Sequence, residues 1–516
     1  MIPFIIRFLC LGCCLLSFVC AQQATIQYLS GTDKDHTVDW AFYIDQGRNS
    51  QTWTTIPVPS NWELAGFGTY VYGRPWPDEL PRATATYRHT FEVPRSWQKQ
   101  RVNLVFEGVM TDTKATINGK SAGPVHQGSF YRFTYDVSDL LRYGRENELE
   151  VQVKDWSDNE SVNSAERAAD YWVFGGIYRP VYLEVLPAAH ITWTALDAQM
   201  DGSFRLLAHS QQFQDATHLE AQVLTLAGKP VGAVMRGEIT RGDTTAEVNG
   251  YFPDVQSWTA EFPHRYQVQV RLMKGDEVLH ALQEKVGFRT VEMRERDGLY
   301  VNGAKVMLKG ANRHSFWPTS GRCLSPAISL ADVQLIKDMN MNAVRMSHYP
   351  PDEHFLDVCD SLGLYVLDEL AGWQTMYDSA TASKLVKEMI VRDVNHPSVI
   401  IWDNGNEGGG NHAIDSLFHV YDPQQRTLIH PWKRFRHTDT QHYKDYDCCT
   451  DGLWHGNRVF FPTEFLHGLY DGGHGAGLED HWNLMRDHPL SAGGFLWALV
   501  DEAVHRRDKN DSLDAS

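Results

Sequence analysis

Val399-Ile400-Ile401-Trp402-Asp403-Asn404-Gly405-Asn406-Glu407 decides how this chain is read. Its apolar half is a strand without a polar face, the kind buried on both sides inside a parallel barrel. The run then stops on a carboxylate and continues as Gly408-Gly409-Gly410. Barrel enzymes carry their catalytic carboxylates where a strand gives way to its loop. Glu464 occurs in the same setting, after Val459-Phe460-Phe461-Pro462-Thr463. Two such Glu are what acid/base-assisted cleavage of a glycosidic bond requires.

Around this strand, from residue 291 onward, strands alternate with helices. Asn302-Gly303 closes a hairpin and Val306-Met307-Leu308 enters a strand. Ser329 and Asp332 resemble a capping box that opens a helix through Val333, Ile336 and Met339. Phe355, Leu356, Cys359 and Leu362 keep helical spacing up to Gly363, and Leu364-Tyr365-Val366-Leu367 is the next strand. A third helix is predicted from Ser383 to Asp393, and further strands at 399–402, 428–431, 435–440, 459–463 and 494–499. Strands with intervening helices in this order make a (β/α)8 TIM barrel over 291–516. The chain stops at Ser516, soon after the eighth strand. It therefore reads as C-terminally truncated, an open barrel whose first and eighth strands lack helical cover and expose apolar surface. Alone, it is expected to be poorly stable or inactive.

Upstream the period is two. Leu149, Val151 and Val153 alternate with Glu150, Gln152 and Lys154, and Asn118-Gly119 is a hairpin signal. Residues 36–187 read as a β-sandwich of the jelly-roll kind. Residues 188–290 repeat the style with shorter strands, Tyr266, Val268, Val270 and Leu272 facing one way, as in a small immunoglobulin-like β-sandwich. No helix of convincing length is read before residue 328. The whole is a multidomain β plus α/β protein.

A length of 516 residues suits about three domains. The net charge of -18 argues against nucleic acid and anionic membranes as partners. The 16 Trp and 21 Tyr suit stacking on sugars but fill sandwich cores equally well. Arg7, the apolar stretch 8–20 and small residues before Gln22 read as a signal peptide over 1–21, which makes the protein secreted or periplasmic. A lipoprotein reading through Cys20 is weaker, because Phe18 and Val19 are bulky. No other stretch approaches ~18 apolar residues, so no membrane insertion is expected. Beyond the leader remain Cys323, Cys359 and Cys448-Cys449, without zinc-like spacing. Cys359 reads as a buried thiol. Neither metal nor cofactor is implied by these spacings, and an oligomer is allowed.

Asn342-Ala343-Val344-Arg345-Met346-Ser347-His348-Tyr349-Pro350, followed by Gly363-Leu364-Tyr365-Val366-Leu367-Asp368-Glu369, resembles one signature of glycoside hydrolase family 2. Asn395-His396-Pro397-Ser398 through Asn406-Glu407 resembles the second. Ile56-Pro57-Val58-Pro59-Ser60-Asn61-Trp62-Glu63 and Val173-Phe174-Gly175-Gly176-Ile177-Tyr178-Arg179-Pro180 look like that family's sugar-binding domain. Gly310-Ala311-Asn312-Arg313-His314 and Thr463-Glu464-Phe465-Leu466-His467-Gly468 resemble its first and nucleophile strands. Met346 and Asp403 depart from the usual small residues, and neither is expected to touch the chemistry. Metal-dependent β-galactosidases of the family carry a Glu and a His as magnesium ligands just after the Asp-Glu pair. Trp373 occupies the Glu position here, which puts that site in doubt.

The resemblance implies that Glu407 is the general acid/base, with a raised pKa, and Glu464 the nucleophile, the two carboxyls about 5–5.5 Å apart. Asn406 would hydrogen-bond the sugar 2-hydroxyl, and Arg345 would hold Glu464 ionised. His314 and His348 are assigned to sugar hydroxyls and Trp497 to a stacking platform. Tyr443, with His442, is placed near the nucleophile, and Asp501 at a substrate hydroxyl. Cys448-Cys449 and His467 are read as structural. The expected activity is a retaining exo-β-glycosidase acting on β-linked hexosides, most of all β-galactosides. The alternatives are a β-glucuronidase or a catalytically inert secreted carbohydrate-binding protein.

Overall fold

A computed structural model describes residues 23–73, 82–211, 213–444, 456–468 and 475–514. The predicted leader and Cys448-Cys449 lie outside the described residues. Two antiparallel sheets form the first sandwich. One runs Thr54–Val58, Val38–Ile44, Thr84–Glu92, Glu146–Lys154, Asp112–Ile117 and Lys120–Ser121 in order across the sheet. The other runs Thr25–Tyr28, Val181–Leu186, Arg101–Phe106 and Phe133–Asp136. Leu149, Val151 and Val153 all point into the core, beside Trp40, Phe42 and Tyr87. Each such aliphatic side chain contributes about 1.5–3 kcal/mol by leaving water. Asn118 and Gly119 have φ of 53° and 77°, the double left-handed turn that a two-residue hairpin needs.

The second sandwich packs Trp193–Ala198, Ser203–His209 and Thr245–Tyr251 against a sheet of Pro230–Glu238, His218–Thr225, Tyr266–Lys274 and Glu277–Val286. Val268, Val270 and Leu272 fill its core with Leu206, Leu219 and Phe288.

Beyond it the chain becomes a TIM barrel. Thr427–Ile429, Val399–Asn406, Tyr365–Trp373, Ala343–Met346, Leu308–Arg313 and Gly493–Leu496 lie side by side, all parallel. These are barrel strands five, four, three, two, one and eight. Strands six and seven, Thr438–Asp439 and Val459–Phe460, pair with each other in parallel, and Phe460 bridges to Ser491 ahead of strand eight. Strands one and eight are thus not left as open apolar edges. Leu308 pairs with Gly493 and Gly310 with Phe495, and Leu308, Ala311 and Phe495 are buried. The chain after strand eight turns back over the barrel mouth, where Val504 joins the core and the Tyr70 hydroxyl donates to the His505 carbonyl, 3.2 Å.

Two helix expectations need correction. The first barrel helix starts at Pro326, not at Ser329. Ser325 is its N-cap, Pro326 fits the first turn where no N–H is needed, and Ser329 lies inside, its hydroxyl 2.8 Å from His354 Nδ1. The third helix begins at Ser379, because Asp378 accepts from the Ala380 and Thr381 amides. A short helix, Glu160–Glu166, also precedes residue 328. It is too short and polar to show an apolar stripe. It fastens the first sandwich to the barrel through Asn159 Nδ2 to Asp378 and the Tyr377 hydroxyl to Glu166, 2.8 and 2.5 Å.

Candidate active site

Strand four delivers Glu407 through a turn that reverses the chain. Gly405 has φ of 69°, and a Cβ there would stand 2.4 Å from the Gly409 carbonyl carbon. Glu407 itself is left-handed, with φ of 46°. Glu464 follows strand seven, its side chain only 4% exposed. One oxygen from each carboxylate and a ring nitrogen of His442 all lie within 4.8 Å of one another. The surroundings of the two carboxylates differ. Glu464 accepts from Arg345 Nη1 at 2.8 Å and from the Tyr443 hydroxyl at 2.6 Å. Glu407 accepts from Gln374 Nε2 at 2.9 Å, and His442 Nδ1 stands 3.1 Å from its other oxygen.

Burial raises the Glu464 pKa, but His442, Arg345 and His348 together with the Tyr443 hydrogen bond outweigh it, and the carboxyl is held below its ordinary range. Burial also raises Glu407, yet hydrogen bonds from His442 and Gln374 bring it down to about 2. A raised Glu407 was expected from its role, and this geometry gives the opposite. Tyr443 is raised, by burial and then by the Glu464 charge, so it stays a donor.

Arg345, fully buried on strand two, organises the floor. Nε donates to Glu369, 2.8 Å, and contacts Asp403, 3.2 Å; Nη1 also donates to Asn312, 3.0 Å; Nη2 donates to Asn406 Oδ1, 2.9 Å. Burial and then the adjacent Glu369 push the Asp403 carboxyl well up, against the pull of the Arg345 guanidinium beside it. Asp403 therefore does belong to the site, contrary to its reading as a neutral departure. Asn406 Nδ2, in a residue 1% exposed, has no hydrogen-bond partner among the described residues. It is a buried donor available to an incoming hydroxyl.

His348 stacks on Trp497, centroids 5.1 Å and planes 9° apart, and its Nδ1 is 3.2 Å from Glu369. His314 meets the same indole edge-on at 5.4 Å, and its Nδ1 is 2.9 Å from the Tyr349 hydroxyl. His467, read as structural, sits 6.3 Å from Trp497 and 5.9 Å from Tyr443, inside the cluster. Asp501 is exposed, and its neighbour Glu502 turns in, 3.2 Å from His314. The pattern after Trp497 is irregular, so alternation offered no way to choose between the two. Asp170 reaches the rim from the first sandwich, its carboxyl raised by desolvation and by the Glu464 and Glu407 charges although the residue is exposed. Nothing in its local sequence marks it out.

The residues do not fit the magnesium site of the family's metal-dependent members. Trp373 is buried in the apolar core and its indole can only donate. Gln374 then spends its amide on Glu407. Among the described residues no helix is long and apolar enough to cross a membrane.

The profile of the family 2 glycosyl hydrolase sugar binding domain matches residues 33–187, that of Glycosyl hydrolases family 2 matches 186–289, and that of the TIM barrel domain matches 291–445. A β-galactosidase of Psychromonas ingrahamii is 28% identical over 90% of this chain and 49% of its own length. One from Alteromonas mediterranea is 30% identical over 90% and 48%. The chain thus spans about half the length of the curated relatives it matches. Among solved structures, a β-glucuronidase from Ruminococcus gnavus in complex with a C6-substituted uronic isofagomine superposes with a TM-score of 0.74. It is 20% identical and covers 93% of this chain and 92% of that one. With three profiles of one family in succession along it, the chain belongs to glycoside hydrolase family 2.

Proposed function

We propose that the chain is a retaining exo-β-glycosidase, acting on terminal β-linked hexosides and on β-galactosides in particular. The observation that carries this is the carboxylate pair, with oxygens within 4.8 Å and different hydrogen-bond partners. An approach of this kind favours the retaining arrangement, with carboxyl groups about 5–5.5 Å apart, over the wider inverting one. Glu464, held ionised, attacks the anomeric carbon as the bond to the leaving oxygen breaks and Glu407 gives that oxygen a proton. Glu407, now ionised, takes a proton from water, which opens the glycosyl ester and regenerates both groups. Asn406 Nδ2 supplies the donor for the hydroxyl beside the anomeric carbon. The galactoside preference rests on the relatives' names.

For Glu407 to donate, the leaving oxygen must take the place of His442 at its carboxyl. Removing His442 then has a definite sign. His442→Phe frees both carboxyls from a group that lowers their pKa values. Activity needs Glu464 ionised, so the acid limb of kcat/KM moves to higher pH. It needs Glu407 protonated, so the alkaline limb moves up as well. A profile identical to that of the unaltered protein would remove His442 from the chemistry.

The direct test is a panel of aryl β-glycosides offered to the purified chain. Cleavage of the galactoside foremost is expected. Preference for the glucuronide would correct the substrate, and binding of sugar without any hydrolysis would leave an inert carbohydrate-binding protein.

A further inference from the structure

We propose that His412, Asp415 and His430 form a binding site for a divalent transition-metal ion of the zinc class, separate from the carboxylate pair. His412 lies in the short turn His412–Ile414, Asp415 opens the helix Asp415–Tyr421, and His430 directly follows strand five. Asp415 Oδ1 is 3.0 Å from His430 Nε2, and Oδ2 is 3.4 Å from His412 Nδ1. The three ligand atoms all fall within 4.8 Å of one another. Ligands of a tetrahedral zinc bonded at about 2.0–2.1 Å stand roughly 3.3–3.4 Å apart, so only small rotations of side chains are required.

Further features suit a built site. The two imidazoles stack, centroids 3.9 Å and planes 27° apart, and the exposed His412 ring would swing off this stack to share an ion, because imidazoles on one tetrahedral zinc stand about 5 Å apart between centroids. Asn404 Nδ2 donates to Asp415 Oδ1 at 2.8 Å, the kind of outer contact that fixes a ligating carboxylate. The His430 ring is seated where only glycine fits, since a Cβ on Gly410 would come within 2.4 Å of His430 Nδ1. His430 and Asp415 are 3% and 13% exposed, while His412 is 65% exposed. A cavity of about 400 Å³ is lined by His412 and His430, with room for a water as fourth ligand. Two neutral imidazoles and one carboxylate suit zinc, cobalt or nickel rather than magnesium or calcium, which prefer oxygen.

The site would act on the loop that carries Glu407. Asn404 lies on strand four three residues before it, and Gly408 and Gly410 line the same cavity. An ion there ties this loop to the end of strand five. It is independent of the sugar reading.

The experiment takes the full chain, stripped with a chelator, and titrates it with Co2+, then with Zn2+. One Co2+ per chain with visible d–d absorption, displaced by Zn2+, is expected, together with a rise in melting temperature on adding Zn2+. Asp415→Asn and His430→Ala should each weaken binding at least tenfold. His412→Ala, at an exposed position, gives the same loss with little risk to folding. Glu407→Gln should leave the Co2+ spectrum and stoichiometry unchanged. No saturable binding by the unaltered chain would overturn the proposal, leaving a plain His–Asp–His hydrogen-bond network. So would unchanged affinity in His412→Ala, or loss of binding in Glu407→Gln, which would place the ion at the carboxylate pair instead.

Discussion

Glu464→Ala is expected to lower kcat on aryl β-galactosides by at least ~10^4-fold, the scale on which a covalent nucleophile is missed. Azide supplied to this variant attacks the face that the carboxylate vacates and yields the α-glycosyl azide. Glu407→Ala leaves the nucleophile in place and removes the proton donor, which costs about 10²–10⁴-fold. An activated leaving group departs without a proton and still loads the enzyme at Glu464. Azide then releases the sugar from that ester as the β-glycosyl azide. The stereochemistry of the isolated product decides between the two carboxylates. An α-azide from Glu407→Ala would reverse the assignment. Among the described residues Glu464 accepts from Arg345 and Tyr443, whereas Glu407 accepts from the Gln374 amide and has the His442 imidazole beside it.

Strand four and the segment leading to Glu464 were legible because each is an unbroken apolar run that stops on a polar end, a pattern that survives without knowing any neighbour. The sandwich faces were legible for the same local reason, as Val151 and Val153 show. What crosses between strands was not. Asp403 and Asn406 lie on one strand, Arg345 on another and Glu369 on a third, and only the parallel register brings Arg345 opposite Leu367 and Asp403 opposite Glu369. No spacing within a single segment encodes that. Gln374 and Asp170 were invisible because each reaches the rim from beyond a regular element, through a turn in one case and a different domain in the other. Asp501 is exposed and its neighbour Glu502 faces His314, a choice the sequence could not make where the chain leaves strand eight and alternation ceases.

The second large effect concerns Arg345. Its guanidinium is fully buried and binds Glu369, Asp403, Glu464, Asn312 and Asn406 at once. Arg345→Ala strands the Glu369 and Glu464 carboxylates without their cation in a region sealed from water. Breaking a buried pair this way costs about 3–5 kcal/mol, a large part of a total stability of roughly 5–15 kcal/mol. Melting followed by circular dichroism measures the loss. The dependence on acidity carries the mechanism. Glu464 has a depressed pKa in the folded chain, so its contribution is present above the unfolded pKa and disappears as pH falls through the folded value. In Arg345→Ala the guanidinium's share of that contribution is lost while His442, His348 and Tyr443 keep theirs, so the deficit against the unaltered chain is greatest near neutrality and narrows in acid, where protonation relieves the less compensated charge. Arg345→Lys separates packing from catalysis. It restores one positive charge but cannot fork between Glu464, Asn406 and Glu369. It should therefore recover part of the stability while kcat remains low, because Glu464 and Asn406 are no longer held from one planar group. A lysine variant with full activity would show that charge alone suffices, and an alanine variant melting as the unaltered chain does would show that the cluster is not what holds this end of the barrel together.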